Sequence, residues 1–139
     1  MILVVGDSFL DIDITSSSLR DNAEGSPYCT TGTGLIYHPG GAALVAEMIR
    51  GWGVDVDLES AIGNDHFGDL LLSHWHHLTM KTLWRTITKI RAISSTGDIL
   101  GRIDCEEIVQ HSVVDDVSLD GVDVLVISDY NKGVVYAGE

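Results

Sequence analysis

Apolar and polar residues follow two rhythms along this chain, and the changes of rhythm mark its elements. Ile2-Leu3-Val4-Val5 is a continuous apolar run that stops at Gly6, the pattern of a central parallel strand. Over 41–52 the apolar residues Leu44, Val45, Met48, Ile49 and Trp52 recur at helical spacing, and Gly53 suits the C-terminal cap. Residues 54–62 alternate as a strand, with Val54, Val56 and Leu58 set against Asp55, Asp57 and Glu59. Asp65 can cap a second helix whose apolar stripe is Phe67, Leu70, Leu71, Trp75 and Leu78. Residues 86–93 alternate again, and 94–98 read as a hairpin turn into a strand over 99–104. Val124-Leu125-Val126-Ile127 is a second buried-strand run. Residues 15–34, rich in Ser, Thr and Gly, read as loop with one or two short exposed strands.

Strands alternating with helices give an α/β fold with a mostly parallel sheet. The alternating strands around Gly97 add a small antiparallel excursion. The 139 residues, 45% hydrophobic and 21% charged, suit one globular domain rather than a disordered chain. No apolar run is as long as a membrane span, and the N-terminus lacks a signal peptide's basic segment, so a cytoplasmic location is expected. The formal net charge of −13 argues against nucleic acid and anionic membranes as partners. Cys29 and Cys105 form no metal or redox motif, and no disulfide is expected between them.

Candidate chemistry gathers where strands end. Asp7 and Asp11 follow the first strand, at the carboxyl edge where α/β folds place ligands. Their carboxylates suit either sugar hydroxyls or helix capping. Pro39-Gly40-Gly41 opens the first helix, where unpaired N–H groups and a partial positive charge favour an anion or a hydroxyl. The same glycine pair also suits a tight turn. Lys89 and Arg91, two apart on a strand, share a face. They suit either a phosphate group or carboxylates of the neighbouring strand, such as Asp104 or Glu106. Asp129 and Lys132 follow the second buried strand, where Asp129 also suits a turn cap. His74, His76 and His77 lack a carboxylate at metal-ligand spacing and read as surface histidines, so no metal site is expected.

Three segments occur in order: Gly6-Asp7-Ser8-Phe9-Leu10-Asp11, Pro39-Gly40-Gly41-Ala42-Ala43, and Gly63-Asn64-Asp65-His66-Phe67-Gly68. With 86–107 and Ser128-Asp129-Tyr130-Asn131-Lys132-Gly133, this set resembles the PfkB (ribokinase-like) carbohydrate kinases. The likeness is nearest to the kinase module of bacterial heptose-phosphate kinases. It implies a partial ribokinase-like fold, with residues 1–139 as the N-terminal, sugar-binding half and 15–37 as a lid. It further implies that Asp11 binds the sugar, that Gly40 and Gly41 form the lid hinge, and that Asp129 borders the sugar crevice. Lys89, Arg91 and Lys132 would then meet phosphate. The implied ligand is a sugar or sugar phosphate.

The chain departs from the family at two places. Position 44 is Leu, where the family has an Asn that touches the sugar. The Gly-Ala-Gly-Asp segment that supplies the catalytic aspartate and anion hole is absent, so no catalytic residue is assigned. ATP and Mg are expected for the full family domain and not for this chain alone. The chain reads as an inactive kinase half, with a noncatalytic sugar-binding or subunit-interaction module as the alternative. Its expected partner is a second copy or a complementary kinase half.

Overall fold

The computed structural model describes residues 1–20, 29–74, 78–83, 85–106 and 117–135. Two four-stranded sheets make up the chain. In the first, the order is β5 (Leu78–Leu83), β4 (Val56–Gly63), β1 (Ile2–Gly6), β8 (Val124–Ser128), and every pair is parallel. In the second, the order is β3 (Cys29–Gly41), β2 (Ser8–Arg20), β6 (Thr88–Ile93), β7 (Ile99–Cys105). There β2 runs antiparallel to β3 and parallel to β6, and β6 is antiparallel to β7. Helices α1 (Ala42–Gly51) and α2 (His66–His74) connect β3 to β4 and β4 to β5.

The second sheet is larger than the sequence suggests. Residues expected to form a loop over 15–34 include long portions of β2 and β3, paired as one antiparallel ribbon. Asp11 therefore lies within a strand and not in a loop after one. Polar composition hides this ribbon because its outer parts, 15–20 and 29–34, are mostly Ser, Thr and Gly, residues common in loops. The second helix stops at His74, and Leu78, expected on its stripe, begins β5 instead. Trp75, His76 and His77 lie outside the described residues.

The core joins Val4, Leu10, Ile12, Leu58, Ile62 and Leu71 to one face of α1. That face consists of Ala42, Ala43, Ala46 and Ile49. Of the expected stripe, Ile49 is buried and Val45 packs against the core, whereas Leu44 is 43% exposed, Met48 55% and Trp52 75%. Alanine lets the helix backbone approach the sheet closely, so the small residues take the inner face. Asp65 caps α2 as expected, accepting the Gly68 N–H at 2.8 Å. Its carboxylate also accepts the Thr86 N–H at 2.8 Å and the Thr86 hydroxyl at 2.7 Å. These bonds tie the approach to β6 to the start of α2. Burial alone would raise the Asp65 pKa, but the Thr86 and Gly68 bonds outweigh it and hold the carboxyl below its usual value.

Candidate functional site

Register places the candidate charges on one face of the second sheet. Asp11 pairs with Lys89 and Asp13 with Arg91 across β2 and β6. His38 lies opposite Asp11 on β3, and Asp104 and Arg102 lie opposite Lys89 and Arg91 on β7. Directly opposite residues share a face, so this surface is charged across all its strands.

Arg91 takes both carboxylates of β2. Its guanidinium donates to Asp11 Oδ1 at 2.6 Å, on the diagonal, and to Asp13 Oδ1 at 3.3 Å. His38 Nε2 stands 3.8 Å from Asp13 Oδ2. Lys89 has no carboxylate partner among the described residues. Its side chain is buried, with the residue 8% exposed, and its ammonium sits 4.1 Å from the centre of the Phe9 ring. The Tyr130 ring lies 5.6 Å away and meets Phe9 edge-on, with centroids 5.2 Å apart. Aromatic faces attract a cation without cancelling its charge.

The remaining charges pair locally. Lys132 donates to Glu106 at 2.6 Å, and Arg102 grips Asp104 at 2.6 and 2.7 Å. The Arg102 bonds hold the Asp104 carboxyl below its usual value, and the nearby Lys89 and Lys132 charges act in the same direction.

The glycine pair adjoins this face. A Cβ on Gly40 would lie 2.5 Å from Asp11 Oδ2 and would strike the Phe9 ring. Gly40 therefore leaves room for the carboxylate to stand over the backbone. Gly41 caps α1 with φ 61° and ψ −133°, a conformation that only glycine adopts readily. The Ala42 N–H bonds to the Asp7 carbonyl at 2.8 Å.

Asp7 does not join this charged set. It is fully buried, and its carboxylate accepts N–H groups from Tyr130 at 2.7 Å, Lys132 at 3.1 Å and Val134 at 3.1 Å. Asp129 accepts the Asn131 N–H at 2.7 Å, which closes a turn with Asn131 at φ 58°. The structure thus brings Asp11, Gly40, Lys89 and Arg91 together, with Asp129 and Lys132 on the adjoining turn. The sequence reading missed Asp13, Phe9 and Tyr130. Asp13 had a signal: Asp11 and Asp13 share the two-residue spacing of Lys89 and Arg91.

No protein-family model matches the sequence. The bifunctional protein HldE of Shewanella sediminis is 32% identical over 146 residues, covering 96% of this chain and 30% of that protein. The HldE protein of Gluconobacter oxydans is 34% identical over 150 residues, covering 96% of this chain and 31% of its own length. The chain therefore spans about a third of the curated relatives it matches. A putative ribokinase from Agrobacterium tumefaciens superposes with TM-score 0.70 at 18% identity, over 91% of this chain and 43% of that one. The Arabidopsis thaliana ribokinase complexed with ribose and ATP gives 0.55 at 17%, over 75% and 35%. These likenesses establish a ribokinase-like fold and bear out the resemblance to the PfkB carbohydrate kinases.

Proposed function

Starting from a chain that shares the ribokinase fold and is homologous to part of the HldE proteins, we propose that it binds a sugar phosphate on the charged face of its second sheet. One observation carries the reading. On that face Lys89, a buried lysine with no carboxylate partner among the described residues, stands in register with Asp11, beside Gly40, whose missing side chain makes room for the Asp11 carboxylate. Asp11, oriented by Arg91, accepts bonds from sugar hydroxyls. Gly40 lets the Asp11 carboxylate stand over the backbone, and Gly40 and Gly41 serve as the lid hinge. Lys89 meets the phosphate, because its charge is not spent on a neighbour. Arg91 acts mainly by holding Asp11, and Lys132 reaches phosphate only by leaving Glu106. Asp129 borders the same crevice. The heptose-phosphate kinase likeness makes a seven-carbon sugar phosphate the first ligand to try.

ATP and Mg go with the full kinase domain. Among the described residues, no three acidic, histidine or cysteine side chains converge as a metal site. The sequence has neither a phosphate-binding Gly-Lys-Ser/Thr loop nor a Gly-Ala-Gly-Asp segment. The Gly-Ala-Gly-Asp segment carries phosphoryl transfer in the family the chain resembles, so the part proposed for these residues is to hold the acceptor.

Calorimetric titration tests the reading. Sedoheptulose 7-phosphate should bind more tightly than sedoheptulose, and Lys89→Met should remove that preference. Asp11→Asn should weaken both ligands by about 1–3 kcal/mol, the cost of losing a charged acceptor. Equal affinity of the folded Lys89→Met protein for the phosphorylated sugar would overturn the assignment.

A further inference from the structure

Asp7 connects two parts of the molecule that the sequence sets far apart. Its carbonyl receives the first N–H of α1, while its carboxylate receives three N–H groups from the turn after β8. A buried carboxylate is costly unless its lone pairs are satisfied, and here main-chain donors satisfy them. The bond to Tyr130 fixes the residue whose ring meets Phe9 edge-on. Those two rings are the seat of the Lys89 ammonium.

We infer that Asp7 is a positioning residue, which fixes the Tyr130 ring through the turn backbone and thereby sets where Lys89 presents its charge. It touches no ligand itself. The inference rests on the reading of this face as a sugar-phosphate surface, but the placement of Lys89 can be measured without any ligand. Phe9 holds one side of the ammonium from β2, whose place is fixed by its strand partners. Tyr130 is half exposed on an irregular turn, so its position depends on what anchors that turn. Asp7 is the anchor because its carboxylate reaches alternate residues of the turn, 130, 132 and 134.

The test uses protein with isotope-labelled lysine, which contains only Lys81, Lys89 and Lys132. The Lys89 ε-CH2 signal, assigned by Lys89→Met, should lie upfield because of the two rings. Tyr130→Leu should remove part of that displacement, and Asp7→Asn should remove the same part. The double variant should match Tyr130→Leu alone. A folded Asp7→Asn protein with an unmoved Lys89 signal, or additive shifts in the double variant, would overturn the inference. If Asp7→Asn does not fold, amide exchange in the unmodified protein decides. Slow exchange at Tyr130, Lys132 and Val134 supports the anchor, and fast exchange at all of them overturns it. In a second arm, Asp7→Asn should weaken sedoheptulose 7-phosphate about tenfold and leave sedoheptulose nearly unchanged. Should the unmodified protein bind neither sugar, the functional reading fails while the lysine signals still judge Asp7.

Discussion

The Arg91 guanidinium lies 2.6 Å from Asp11 Oδ1, although its direct partner in the strand register is Asp13. The diagonal reach lets one cation serve two carboxylates and leaves Lys89 free of them. Replacing Arg91 by Met would remove the cation that bridges Asp11 and Asp13. We expect a loss of about 1–3 kcal/mol in urea unfolding at neutral pH. The loss should shrink in about 1 M salt, which screens the repulsion between the two carboxylates. An equal loss at low and high salt would mean that Arg91 acts through packing.

Asp65 gives a pH dependence of known sign. Its pKa is depressed in the folded chain, with the Thr86 and Gly68 bonds outweighing burial. A depressed carboxyl contributes stability above its unfolded pKa and loses that contribution as pH falls through the folded value. Asp65→Asn should cost about 1–2 kcal/mol at pH 7, as a weakened cap does. The gap between the two proteins should narrow below about pH 4. Parallel acid-unfolding curves with a constant gap would exclude this role.

Leu44 is exposed and outside the core, so the family's Asn can be restored there with little effect on folding. Leu44→Asn should change stability by no more than about 0.5 kcal/mol. It should also improve binding of the unphosphorylated sugar by about 1 kcal/mol, the net value of one hydrogen bond. Thermal melts and calorimetry on the same samples check both. Unchanged affinity would place position 44 outside the pocket.

The β8 edge predicts association. Parallel strands are normally covered on both faces, yet Val124, Leu125 and Ile127 are all exposed, Ile127 by 59%. β8 also ends its sheet and pairs only with β1 among the described strands. An exposed apolar edge recruits another chain. Light scattering coupled to size exclusion should show a dimer or a larger species, or a stable complex with a separately expressed C-terminal kinase half. A monomer at every concentration that also ignores such a partner would refute the prediction.

The sequence by itself determined the parallel strands β1 and β8, helix α1, the Asp65 cap and the hairpin around Gly97. Each of these is written in local periodicity or in one residue's capping chemistry, which neighbours in the chain suffice to express. It also placed Asp11, Gly40, Lys89 and Arg91 as candidates, because motif spacing marks residues at strand ends and on one strand face. Only the tertiary structure decided how those charges divide. Whether Lys89 or Arg91 holds the carboxylates depends on the β2–β6 register and on a diagonal reach across it. The role of Asp7 depends on bonds to residues more than 120 positions away, which no local pattern encodes. The inner face of α1 likewise needed the sheet. Periodicity shows that a helix is amphipathic, but close packing chose three alanines and Ile49 over Leu44, Met48 and Trp52.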